Sequence, residues 1–230
     1  MYLSRLILNP RSRQVQRELA NRYELHRTVL SAFPNPLPAD ERVLYRLEVA
    51  PSSGISTLLV QSLGEPAWEK LAAAHPDYLL PQVQIPGGLP NPACKRVALQ
   101  LHRGQLLGFR LRANPAVKRV CEGLRQGKRV GLYGEEDQIE WLRQRLERAG
   151  ASLLDVQVSE ASKERATALR GREGVGGQPG EQSREMVFAV GLFDGILRVE
   201  EPDRLLEHVR RGIGSGKGFG FGLMSLRRLR

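Results

Sequence analysis

The chain has 230 residues, 41% of them hydrophobic, which points to one large or two small folded domains and excludes a wholly disordered basic tail. Its longest apolar run, Met186 to Leu192, is far too short for a membrane span, and Leu6-Ile7-Leu8 before Asn9-Pro10 gives no signal-peptide core. Lys and Arg number 35 against 25 Asp and Glu, a net +10; six of the 35 are lysine and 29 arginine, the side chain that grips phosphate bidentately and stacks on bases. Cys94 and Cys121 are too few for a disulfide framework or a four-cysteine zinc site. A cytoplasmic folded protein that meets a polyanion is the expectation, with no membrane, metal or cofactor.

The charge is unevenly spread. Residues 95–129 carry a net +9, 204–230 a net +6 and the first thirty +4, while acidic residues collect at 135–140, 155–164 and 194–203. Such alternation implies one positive face on a folded body, suited to nucleic acid. A solvated surface of an arginine-rich chain would read the same way.

Tyr2 to Leu8 alternates as a strand and stops at Asn9-Pro10. Ser12 can cap a helix running to Ala20, and a second helix, Tyr23 to Phe33, ends before Pro34. Val43–Val49 and Thr57–Gln61 read as strands joined through Pro51-Ser52-Ser53-Gly54. Pro66 leads a helix over Ala67–Ala74, and Tyr78–Ile85 reads as a fourth, proline-interrupted strand. That order, β-α-β-β-α-β, is the ferredoxin-like pattern. Pro86 to Pro92 reads as a linker. Beyond it Gln105–Ala113 is a strand, with Leu107, Phe109 and Leu111 on one face and Arg110 and Arg112 on the other. Glu135–Ala149 is the clearest helix, apolar at Ile139, Leu142 and Leu146. Ser152–Val158 is a strand, Met186–Leu192 pairs with Gly195–Val199 across Asp194-Gly195, Pro202 opens a helix to Arg211, and Phe221–Leu226 closes the chain. Residues 160–184 read as either disordered or a long hairpin tip that orders on a ligand. The fold class is α+β: two tandem ferredoxin-like units, 1–88 and 93–230, alike in pattern but not in sequence.

Two constellations could carry chemistry. In Asn21-Arg22-Tyr23-Glu24-Leu25-His26-Arg27-Thr28, Tyr23 and His26 lie three apart on a helix and share a face, with Arg22 and Arg27 near. Cleavage of RNA by its own 2′-OH needs one proton removed, another supplied, and charge held on the phosphorane. A histidine titrating near neutrality suits either proton role. A surface helix whose rings merely pack would look alike. The second constellation is Gly212-Ile213-Gly214-Ser215-Gly216-Lys217-Gly218-Phe219-Gly220-Phe221-Gly222, with six glycines at every second position and one lysine. It lets backbone approach phosphates, at Gly214, Gly216 and Gly218 beside Lys217, but lacks the Walker A spacing. Its Lys217-to-Phe221 run matches only the start of an aromatic RNA-binding motif. A ligand-free glycine turn is the plain alternative. His75, His102 and His208 sit at no metal-ligand spacing.

Three segments together, Tyr2 to Arg13, Asn21 to Thr28 and Gly212 to Ser225, resemble the CRISPR-associated endoribonucleases of the CasE type, subunits of the type I-E Cascade complex. The resemblance covers the chain in length and order. It implies two ferredoxin-like domains side by side. It implies metal-independent cleavage of CRISPR precursor RNA at the base of the repeat stem-loop, with the enzyme staying bound to the mature guide among other Cascade subunits. It carries the active site onto the helix after the first strand, with His26 as the proton-transfer residue and Tyr23 as its partner. Some relatives add a lysine shortly after the histidine; here Ser31 stands in that neighbourhood, which leaves charge stabilisation to Arg22, Arg27 or Lys217. RNA contacts are expected from Arg110, Arg112, Lys118 and Arg119, from Lys163, Arg165, Arg170 and Arg172, and from the glycine loop. A non-catalytic guide-RNA scaffold of the same architecture, or a DNA-binding protein using the same face, are the alternatives.

Overall fold

A computed structural model describes residues 1–119, 128–170 and 182–229. In the first unit the elements run β1 (Tyr2–Ile7), α1 (Arg13–Ala20), α2 (Arg22–Leu30), β2 (Leu44–Val49), β3 (Ser56–Ser62), α3 (Trp68–Ala74) and β4 (Ala93–Arg96). The sheet order is β2-β3-β1-β4, every neighbouring pair antiparallel. This is the ferredoxin-like arrangement, but the fourth strand is not Tyr78–Ile85. That stretch makes one bridge, Leu79 to Leu8, and then passes through Pro81 into a tight turn over Gln82–Gln84. Pro81 cannot donate to a ladder, so pairing stops there. The presumed linker instead folds back along β1: the Asn91 amide donates to the Ile7 and Leu80 carbonyls and its oxygen accepts from the Ile7 N–H. Ala93–Arg96 then pairs with β1 from Arg5 to Tyr2, so residues assigned from sequence to the second unit complete the first sheet.

The helices cover one face of that sheet, and Leu6, Leu25, Val29, Leu58, Val60, Trp68 and Leu71 fill the space between. The buried Glu18 carboxylate accepts from Tyr78 Oη and Thr28 Oγ1, both at 2.6 Å, and from Gln14 Nε2 at 2.8 Å, which ties α1 to α2 and to the chain after α3. Ser12 is extended at the start of α1 as expected, but its buried hydroxyl makes no capping bond.

The second unit comprises β5 (Leu106–Ala113), a ribbon of β6 (Ala116–Arg119) and β7 (Lys128–Gly131), α4 (Glu135–Arg148), β8 (Ala151–Arg170), β9 (Gln182–Val199), α5 (Pro202–Arg211) and β10 (Met224–Arg228). Its main sheet runs β10-β5-β9-β8, the same ferredoxin-like order. Asp194-Gly195 is not a hairpin turn: β9 passes straight through it, pairing with β5 on one side and β8 on the other. The glycine is needed there for closeness, because a side chain at Gly195 would strike the Asp155 carbonyl and the Phe109 ring beside a bulge in β8. Much of residues 160–184 forms the two arms of one long hairpin, out to Arg170 and back from Gln182.

The units meet across β2. Arg46, 2% exposed, donates to the carbonyls of Arg110 and Leu223 and to Ser225 Oγ, and forks onto Glu48 Oε1 at 2.8 and 3.0 Å. Gln61 of β3 reaches the Val209 carbonyl of α5. Leu44, Tyr45 and Arg46 of β2 are therefore buried, while its end at Glu48 and Val49 is open.

Candidate active site

Asn21 separates the first two helices. Its backbone is extended, its N–H closes α1 onto the Arg17 and Glu18 carbonyls, and its Oδ1 accepts the Tyr23 N–H at 3.2 Å. The 3.6-residue period then sorts α2 into three faces. Leu25 and Val29 enter the core. Arg22 and His26, one turn apart, meet the second unit. Glu24, Arg27 and Ser31 line a cleft with Arg17 of α1 and His75. Arg22 and Arg27, both expected beside the pair, thus leave the helix on different sides, and Arg27 is exposed with Glu24 as its partner at 3.3 Å. Tyr23 is half-buried one turn before His26.

The ring stacked on His26 belongs to Tyr45 of β2, with centroids 6.0 Å apart and planes 22° from parallel. Tyr45 is fully buried, and its hydroxyl lies 3.1 Å from the Arg22 carbonyl and 3.0 Å from that of Gly218. One hydroxyl proton shared between those acceptors ties α2 to the glycine loop. Burial pushes the phenol pKa far up, so Tyr45 stays a donor. Nothing in the sequence singles it out; it reads as one more strand aromatic, and the packing of α2 on the sheet of its own unit brings it to the histidine. Burial also lowers the His26 pKa from 6.5, keeping the ring neutral at pH 7, and its buried Nδ1 has no hydrogen-bond partner among the described residues.

The glycine loop closes the other side of His26. A side chain at Gly218 would come 3.3 Å from Cδ2 and Nε2 of the imidazole, so here the missing Cβ is a matter of space. Gly214 and Gly216 adopt φ of 83° and 78° and pack on Trp141 and on Phe221 with Phe188. The three glycines singled out as phosphate contacts therefore each have a reason inside the protein. Lys217 lays its stem along Gly212 and Gly222; burial first, then Arg42 and Arg211, lower its pKa.

Two of the predicted arginines converge beside His26. Glu164, on the β8 arm of the long hairpin, accepts from Arg22 Nε at 3.1 Å and from Arg112 Nη2 at 2.6 Å. Arg112 also stands 4.8 Å over the Phe221 ring and 3.6 Å from the more exposed Glu160. Burial raises the Glu164 pKa, but the hydrogen bonds and charges of Arg112 and Arg22 outweigh it and hold the carboxyl below its ordinary range. Arg110 is engaged elsewhere, forked onto Asp194 at 2.7 and 3.1 Å. Lys118 and Arg119 project from the β6–β7 ribbon, where their Cα partners are Arg129 and Lys128. Like charges paired across a ribbon repel and suit an anionic partner. Lys163 and Arg165 are exposed on the hairpin arm; the Arg170 side chain and Arg172 lie outside the described residues.

Comparison with known proteins places the chain in a family. The model of a family described as "CRISPR associated protein" matches residues 1–228. The chain is 38% identical over 233 residues to the CRISPR-associated endoribonuclease Cse3 of Thermus thermophilus, covering 98% of this chain and 99% of that protein. It is 30% identical over 234 residues to the CRISPR system Cascade subunit CasE of Escherichia coli, covering 98% of each. A solved structure of CRISPR endoribonuclease Cse3 bound to a 19-nucleotide RNA superposes with a TM-score of 0.78 at 36% identity, over 99% of this chain and all of that one.

Proposed function

The chain belongs to the CRISPR associated protein family, and from that premise we propose how it acts. It is a CRISPR-associated endoribonuclease of the CasE type and a Cascade subunit. It acts in the cytoplasm; among the described residues no helix is long and apolar enough to cross a membrane. Its substrate is the stem-loop of the CRISPR repeat in the precursor RNA, and it remains on the mature guide.

The cut runs through the RNA's own 2′-OH. That oxygen attacks the adjacent phosphorus, the 2′-O–P bond forms, and the P–O5′ bond breaks, leaving a 2′,3′-cyclic phosphate and a 5′-hydroxyl. His26 exchanges protons with these oxygens and Tyr23 orients the ribose or phosphate beside it. The observation that carries the reading is the clamp on His26: a ring held neutral by burial between Tyr45 and Gly218, at the seam where the most basic unit meets the helix. Neutral imidazole is the form that takes the 2′-OH proton, and a fixed ring spends little entropy reaching its reactive pose. Basic groups on the β6–β7 ribbon and the hairpin arm follow the phosphates of the stem, whose A-form groove is read by shape.

The test is His26→Ala in single-turnover cleavage of the repeat hairpin. Cleavage should fall by about 10²- to 10⁴-fold, the worth of a positioned proton-transfer group, while hairpin affinity stays within a few-fold. Retained cleavage overturns the assignment.

A further inference from the structure

The carboxylate of Glu164 sits where an anion would be expected to sit in an enzyme that acts on a phosphodiester. It lies between two guanidinium groups, one of them a single helical turn from His26, and gives one oxygen to each. A phosphodiester presents the same single negative charge and the same kind of acceptor pair in its two non-bridging oxygens. Arginine forks fit both anions equally well. The three side chains are between 11% and 20% exposed, so the pairing is shielded from solvent and salt. One carboxylate also cannot satisfy both forks: among the described residues the buried Arg22 Nη1 has no hydrogen-bond partner. One turn along α2, the buried His26 Nδ1 is likewise without a partner among them. An unpartnered guanidinium nitrogen, with an internal anion alongside, marks a place built for more acceptors than Glu164 supplies.

We propose that Arg22 and Arg112 form a phosphodiester-binding subsite that Glu164 occupies in the RNA-free protein, so that the hairpin arm acts as a latch which the substrate backbone displaces. The exchange is balanced in charge: the RNA phosphate enters between the guanidinium groups and the Glu164 carboxylate moves out to water with the strand that carries it. The latch shields the active-site helix from other anions and loosens binding of any RNA that cannot complete the exchange. A purely structural ion pair at this place would act in the opposite sense, since removing it would cost order and weaken RNA binding. The proposal rests on the reading of the chain as an RNA-cleaving enzyme, and the experiment keeps the two apart.

Binding of the repeat hairpin, with a 2′-deoxy nucleotide 5′ of the cut to prevent cleavage, is measured for the full chain across a salt series. In Glu164→Gln the hairpin should bind roughly five- to tenfold tighter at low salt, about the effect of removing one competing ion pair. The slope of log affinity against log salt should steepen by about 0.7 to 0.9, because the phosphate contact no longer releases a carboxylate that takes up a counterion in its turn. Glu164→Ala should move both readouts in the same direction. In an Arg22→Ala background the gain should vanish, because half the subsite is gone. Unchanged or weaker binding by both Glu164 variants, or a gain that survives Arg22→Ala, overturns the latch. Failure of the unmodified protein to bind the hairpin at all would instead overturn the reading on which the latch rests.

Discussion

Tyr45 makes the sharpest single-atom test of the clamp on His26. Tyr45→Phe keeps the ring stacked on the imidazole and deletes only the hydroxyl shared by the carbonyls of Arg22 and Gly218. Two buried acceptors then compete without their donor, a loss of about 1–2 kcal/mol. For a protein of this size that lowers Tm by roughly 2–8 °C. If the same tie holds the glycine loop against α2 in the transition state, single-turnover cleavage falls about five- to thirtyfold, since about 1.4 kcal/mol is a factor of ten. Tyr45→Ala removes the ring as well and leaves a cavity costing about 3–5 kcal/mol. It also admits water to His26, so the imidazole pKa climbs back toward 6.5, and the His26-dependent limb of the pH–rate profile moves up with it. Tyr45→Phe should leave that limb in place. The pair of variants is followed by thermal unfolding, by cleavage against pH, and by the His26 signal in an NMR titration. An equal pH shift in both variants, or none in Tyr45→Ala, would refute the claim that the covering ring sets the histidine's protonation.

Gly218→Ala should slow cleavage about tenfold without weakening hairpin affinity, because its methyl meets the imidazole at 3.3 Å and displaces it from its pose; normal cleavage would place the reacting ring elsewhere. His26→Ala should also flatten stability against pH. The folded pKa lies below the unfolded 6.5, so stability present above about pH 6.5 is lost as pH falls through the folded value, and urea titrations of the variant should lack that loss. Arg46→Ala should cost about 2–3 kcal/mol, as the Arg110 and Leu223 carbonyls lose their buried donor. A stability change under about 0.5 kcal/mol in that variant would mean the seam is held by other contacts.

Much of this architecture is legible in the residues, because local period and turn chemistry set it: the β-α-β-β-α-β order appears twice, and both four-stranded sheets have the matching strand order. The errors have physical causes. Asp-Gly is a strong turn signal, yet Gly195 is glycine because a strand bulge leaves no room for a side chain. Tyr78–Ile85 reads as a proline-interrupted strand, but Pro81 ends its pairing altogether and the proline-rich stretch behind it leads into the pairing strand. At the candidate site, Tyr23 and His26 stand out from spacing on one helix. Tyr45 and Glu164 do not, since they stand 19 and 138 residues away from His26: Tyr45 acquires meaning when α2 packs on its sheet, and Glu164 when the second unit meets α2. The abundant arginines divide the same way. Charge alone marks them as polyanion contacts, whereas the fold leaves Lys118 and Arg119 on an exposed ribbon, pairs Arg110 with Asp194 at the surface, and sets Arg46 and Arg112 into largely buried pairs.

The central claim is that the RNA's own 2′-OH is the nucleophile and that side chains alone move the protons. It is tested most directly by incubating the protein with the repeat hairpin in EDTA, with and without a single 2′-deoxy nucleotide 5′ of the cut. Cleavage of the all-ribose hairpin in EDTA to a 2′,3′-cyclic phosphate end, abolished by the one deoxy substitution while binding persists, is the predicted result. Cleavage that continues through the deoxy nucleotide, or that stops in EDTA and returns with a divalent cation, would contradict it.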